Sequence, residues 1–173
     1  MIATAIALPV ALVVGVVVAA VFAQRTPAIA PVALASAPAP DSGSAACATL
    51  LSSLPDVLGD ARRAALVSPV PAGTAAWRTD DETADPLILR CGTPRPAEFT
   101  AAAALIAVNG VKFLEIRGAK QGPSATSYVD VDRGVYITLT LPNGAGSGSV
   151  QQLAELIAAK LPAKPLDPEP VGG

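Results

Sequence analysis

Few side chains in this sequence are equipped for chemistry, and their types narrow it at once. The chain contains no His. That removes Ser-His-Asp and Cys-His mechanisms and every His-containing metal site. The two cysteines, Cys47 and Cys91, have no imidazole to activate a thiolate. In an exported domain an even cysteine count argues for a disulfide, with a pair of buried free thiols as the alternative. Closing that loop would stabilise the fold by roughly 4 kcal/mol on the chain-entropy model. Carboxylates remain. Asp130 and Asp132, in Asp-Val-Asp-Arg-Gly, would share one side of a strand, and paired carboxylates about 5–9.5 Å apart can catalyse group transfer. The same run faintly echoes the start of a calcium loop, but it lacks that motif's third Asp or Asn and its closing Glu. Strand-end and turn residues are the plainer reading. Asp80, Asp81, Glu82 and Asp85 read as a solvated loop. No metal or cofactor is expected.

Charge excludes another class. Net charge is −2 and the 12 basic residues are scattered, so nucleic acid is not an expected partner. Asn143 to Ser149 is Gly-rich but lacks the Lys of a phosphate-binding loop. Trp77, the single Trp, reads as a core anchor rather than a ligand platform.

The elements that must position these residues follow from period and punctuation. Ser44 is placed to cap a helix over Ala45 to Leu54, ended by Pro55. Asp56 to Asp85 gives little signal. Leu87 to Cys91 reads as a strand, and Glu98 to Ala103, after Pro94 and Pro96, as a short helical stretch. Asn109-Gly110, between Leu105–Val108 and Val111–Ile116, suits a type I′ hairpin turn. Ser127 to Val131 and Val135 to Leu141 are further strands. The second alternates Val135, Ile137, Leu139 and Leu141 with Tyr136, Thr138 and Thr140, which gives one apolar and one mixed face. A last helix runs from about Val150 to Leu161, with Ser149 and Gln152 matching a capping box. The expected class is α+β: an N-terminal transmembrane helix, then a small, mainly antiparallel sheet with helices packed on one face.

Hydrophobic residues make up 51% of the chain, and much of that excess lies in Ile2–Ala23, which carries no charge. As a helix, at about 1.5 Å per residue, this run reaches roughly 33 Å, enough to cross a bilayer. It is longer than a usual signal-peptide core, although Val21-Phe22-Ala23 would serve as a cleavage site. An uncleaved anchor is the preferred reading and a cleaved signal segment the alternative. Arg25 directly after the run votes for a cytoplasmic C-terminal side. The cysteine pair and the Ala/Pro-rich stretch vote outward, so a basic leader upstream of Met1 is expected. The organisation is then residues 1–23 as anchor or signal, 24–43 as an Ala/Pro-rich spacer, 44–162 as one globular extracytoplasmic domain and 163–173 as a disordered tail.

Several short runs, taken in order, resemble a family of uncharacterised membrane or exported proteins of actinobacteria. They are Ala75-Ala76-Trp77, Leu89-Arg90-Cys91-Gly92 with Pro94-Arg95-Pro96, Val108-Asn109-Gly110-Val111, and Arg133-Gly134-Val135-Tyr136-Ile137 before Pro142. The likeness covers about Cys47 to Leu161 and departs at Phe113, where Trp is expected, and in the polar, acidic stretch between Trp77 and Leu87. It implies an envelope location and an N-terminal membrane segment, and it implies no activity.

The function expected is a non-enzymatic binding or scaffolding domain, held at the membrane by its first segment and facing an envelope protein or ligand. The expected contact surface is the polar sheet face around Arg117, Tyr128, Arg133 and Tyr136. A carboxylate-dependent envelope hydrolase or transferase is the alternative, and a small-ligand or lipid-binding module a third.

Overall fold

The computed structural model describes residue 16 and residues 29–81, 83–118 and 125–169. The apolar run Ile2–Ala23 lies, apart from Val16, outside them, so the expected membrane helix is not part of what is described. No helix among the described residues is long and apolar enough to cross a membrane.

Eight strands form one antiparallel sheet: β1 (Val57–Leu58), β2 (Ala61–Ala64), β3 (Thr74–Arg78), β4 (Leu87–Thr93), β5 (Leu105–Val108), β6 (Val111–Arg117), β7 (Ala125–Asp130) and β8 (Tyr136–Pro142). Their order is β1-β2-β3-β4-β8-β7-β6-β5. Two four-stranded meanders therefore join through β4 and β8. Two helices, α1 (Ala45–Ser53) and α2 (Gly148–Lys160), pack on one face, so the fold is α+β.

That face holds the main core. Cys47 and Leu50 of α1 and Val150, Leu153 and Ile157 of α2 pack on Trp77, Leu87, Leu89, Phe113, Ile137 and Leu139. Each fully buried side chain of this size contributes about 1.5–3 kcal/mol by leaving water. Phe113, at the position where the resemblance leads one to expect Trp, is sealed in this core and is no exposed aromatic site. Trp77 is buried too, and its indole N–H donates to the Pro55 carbonyl at 3.1 Å.

Three strands lie in the stretch that gave little signal. β2 reads Ala-Arg-Arg-Ala, with only small residues at its buried positions. Arg63 covers the Trp77 ring at 4.8 Å and Arg62 pairs with Asp80, so the arginines join the packing instead of opposing it. The hairpin at Asn109-Gly110 forms as expected, both residues having positive φ (47° and 79°). The stretch Glu98–Ala103 makes isolated turns and no helix, because Phe99 is drawn into a second apolar cluster with Leu114, Val129 and Val131. The capping box also differs. Ser147 is the N-cap, without a side-chain bond, while Gln152 reaches the β1–β2 turn, accepting from Gly59 N–H at 2.9 Å and donating to Val57 O at 3.0 Å.

The face opposite the helices is crossed by two extended segments. Val32, in the Ala/Pro-rich stretch expected to be a spacer, is buried on Ala64 and Ala76 and bridges Leu66 in parallel. Proline leaves that segment few donors, yet Val32 finds Ala65 O and Val67 finds Val32 O. At the other terminus, the stretch expected to be a tail is placed against the fold as far as residue 169, where Glu169 bridges Thr100 in parallel.

Candidate functional site

The cysteines meet. Cys47 of α1 and Cys91 of β4 form a disulfide with a Cα–Cα distance of 5.6 Å, and both are buried. The next residue, Gly92, has φ 82° at a bulge between β4 and β8. A Cβ at this position would overlap backbone atoms of Asp41 and Ser42. Only glycine lets the incoming chain cross so near the strand. The Asp41 amide donates to Gly92 O at 3.1 Å, and Ser44 then caps α1 through the Cys47 amide at 3.3 Å. Before that, Arg90 holds the same segment through Ala35 O at 2.9 Å.

The two carboxylates that suggested catalysis lie inside the fold. Asp130 ends β7 and pairs in register with Phe113 and Ile137, which directs it into the helix-covered face. Asp132 has left the strand and lies in the following turn. Asp130, Asp132 and Arg133 are 0%, 4% and 5% exposed. Arg133 Nη1 meets Asp132 Oδ1 at 2.6 Å, and its Nη2 donates to Gly110 O at 3.0 Å. The Lys112 amide also donates to Asp132 Oδ1, at 3.2 Å. One Asp130 oxygen accepts from the Asp132 amide at 3.0 Å, while Oδ2 has no partner among the described residues. Burial pushes the Asp130 carboxyl up to about 8, and the neighbouring Asp132 side chain adds to the rise. The rise favours the neutral form of Asp130, which leaves the Arg133 guanidinium to pair with Asp132. The cluster pins the β5–β6 turn to the β7–β8 turn. Both carboxylates are almost wholly withdrawn from solvent.

The residues expected to form one polar surface are split: Arg117 and Tyr128 are neighbours on β6 and β7, while Arg133 and Tyr136 lie apart from them. Arg117 is 82% exposed and pairs with Glu115 at 2.6 Å. Hydrogen bonding to that carboxylate raises its pKa. Tyr128 packs on the helix side of the sheet and Tyr136 on the other. Arg133 is buried, as described. Among the described residues the acidic loop gathers no cation site. Asp81 instead accepts from the Thr83 hydroxyl at 2.6 Å and its amide at 2.9 Å, which lowers the Asp81 pKa.

A different constellation is exposed and polar. Arg95, fixed between Pro94 and Pro96, donates Nε to Tyr136 Oη at 3.2 Å. Its Nη1 meets Glu169 at 2.7 Å, and its Nη2 meets Asp167. These bonds, Tyr136 first and Glu169 next, raise the guanidinium pKa further. Tyr136 is itself set edge-on against Phe99, with ring centroids 6.2 Å apart. The backbone beside it receives chain as a sheet edge does. Glu169 N–H donates to Phe99 O at 2.9 Å and Ala101 N–H to Glu169 O at 3.2 Å. A cavity of about 270 Å³ adjoins, lined by Asp41, Arg95, Tyr136, Gly134, Pro165 and Asp167. Nothing in the composition marked Arg95. The available signal was a lone cation between two prolines, set against alternating acids at 167 and 169.

The model of the family described as "Protein of unknown function (DUF3515)" matches residues 6–166, and the chain belongs to that family. Arg95 and Tyr136 fall within the matched span, Asp167 and Glu169 beyond it. No curated protein matches the chain. A solved structure from Bacteroides thetaiotaomicron VPI-5482 is similar at 14% identity over 61% of this chain and 42% of that one, with a TM-score of 0.33.

Proposed function

We propose that this DUF3515 protein is a non-catalytic binding or scaffolding domain of the cell envelope, tethered by Ile2–Ala23 and working on the extracytoplasmic side. The observation that carries the reading is how the polar groups are distributed. Asp130, Asp132 and Arg133 are sealed and hold turns, while Arg95 and Tyr136 stand at an accessible ledge that holds an extended chain. A buried disulfide suits an oxidising compartment. If the tether ends near residue 23, the domain sits close to the bilayer, because the chain is already packed on the sheet at Val32.

The alternatives have less support. A carboxylate-dependent hydrolase or transferase needs its acids in contact with substrate, and here both are enclosed. A lipid-binding module needs an apolar enclosure. A cavity of about 520 Å³ is present, but Asp60, Asp85 and Asn143 on its wall would have to be desolvated by an acyl chain.

The test uses the full chain in native membranes, with a photo-crosslinking residue at Ala102 beside the ledge or at the exposed Val57 on the edge strand β1. The expected result is a crosslink to an envelope component from position 102 alone, with the domain reached by a membrane-impermeant label. Equal crosslinking from both positions, or a domain protected from the label, would overturn the reading.

A further inference from the structure

We infer that the Arg95–Tyr136 ledge is a binding site for an extended acidic peptide, and that the chain's own Asp167–Glu169 segment fills it as a displaceable internal ligand. This rests on the recognition reading above and adds the chemistry of the partner. Three features of the ledge point the same way. The guanidinium presents donors to two carboxylates at once, a task its planar fork suits and an ammonium does not. Those carboxylates stand at positions i and i+2, which in an extended chain project to one side. The backbone at Phe99 and Ala101 receives the same chain through two hydrogen bonds, which fix its register, while the arginine decides whether it stays.

The internal occupant is built to leave. Its Asp167 and Glu169 side chains are 80% and 60% exposed, so the ion pairs are screened by salt. No apolar side chain of Asp167–Glu169 enters a core cluster. Both carboxylates lie outside the span matched to the family, whereas the site that holds them lies within it. An acidic segment of a partner would compete for the same donors, and the short tether would give the internal segment an effective concentration on the order of millimolar.

The experiment uses the full chain and a labelled peptide of residues 163–170, AKPLDPEP, read by fluorescence anisotropy at low salt. The Asp167→Asn/Glu169→Gln chain, its ledge emptied of carboxylates, should bind the peptide about tenfold or more tighter than the unaltered chain. Adding Arg95→Gln should abolish capture, and Arg95→Lys should restore only part of it. A peptide carrying Asn and Gln in place of the two acids should not bind. Equal affinity for the two chains, capture that survives Arg95→Gln, or no capture by either chain overturns the inference. Peptide capture without an envelope crosslink at Ala102 would instead remove the recognition reading and leave the site standing.

Discussion

At one end of the sheet the chain changes face twice, and the two passages are secured by different physics. The entering chain crosses at Gly92, where a missing side chain permits backbone contact and a disulfide lies one residue away. The leaving chain crosses beside the Asp132–Gly134 turn, where Lys164 N–H donates to Asp132 O at 2.8 Å and Gly134 accommodates the Lys164 stem. Asp41 of the first passage and Pro165 and Asp167 of the second line the same cavity, so the two are neighbours. Yet the first is covalent and steric, while the second rests on a buried ionic turn and then on exposed ion pairs. Sterics and covalent bonds do not respond to pH or salt; charges respond to both. This domain thus keeps its N-terminal strap fixed and leaves its C-terminal strap adjustable.

Removing the covalent element should have the largest effect. Cys47→Ala/Cys91→Ala opens a loop with a sequence separation of 44. It should cost roughly 4 kcal/mol on the chain-entropy model, seen as an earlier urea midpoint. The β4 bulge and Gly92 crossing should loosen with it. A loss below about 1 kcal/mol would mean that steric fit alone fixes this passage.

The ionic passage is tested by Arg133→Met, which keeps volume but leaves Asp132 buried without its cation and Gly110 O without its donor. Removing one partner of a buried pair costs about 3 kcal/mol or more. Hydrogen exchange should quicken first at Lys164 and at the Asn109-Gly110 turn, while the Asp41 amide stays protected. Quickening at Asp41 of the same size would show that the two passages open as one unit.

These passages also mark the limit of what could be read from the sequence. Local signals were legible: the Asn109-Gly110 hairpin, the alternation of β8, the Ser44 cap and the apolar stripe of α2 all depend on neighbours in the chain. The disulfide could be anticipated from the even cysteine count, and helices on one face from strands bracketed by helices without βαβ alternation. Strands β1 to β3 could not, because Ala61, Ala64, Ala75 and Ala76 occupy buried positions without an apolar period strong enough to notice. Arg133 read as a surface residue because its acceptors come from Asp132 beside it and Gly110 far from it, and only the fold supplies the second. Of the ledge, Tyr136 was legible as a contact residue and Arg95 was not, for the same reason. Arg95 gains meaning only when residues 167 and 169 arrive from the other end of the chain.

Asp130→Asn should sharpen the contrast through pH, with a sign that can be worked out. The folded-state pKa is about 8, against an ordinary value near 4 for the unfolded chain. Between those limits the native state holds a proton that the unfolded state has released, so stability falls as pH rises, by about 1.4 kcal/mol per unit at most. The Asp130 contribution is fully present below about pH 4 and lost once pH passes about 8. Asn cannot ionise and can still accept from the Asp132 amide, so the variant lacks this slope. Measured by urea unfolding with the disulfide intact, the variant should gain on the native chain steadily from pH 5 to pH 8. Parallel profiles would show that the carboxyl is ionised or relieved in the folded state. The same titration carries a local signature. As Asp130 ionises, a buried charge without a partner of its own appears beside the turn that receives Lys164 N–H. Exchange at Lys164 should then rise with pH beyond its intrinsic dependence in the native chain and not in Asp130→Asn. Exchange at the Asp41 amide, held to Gly92 O beside the disulfide, should follow only the intrinsic dependence in both chains.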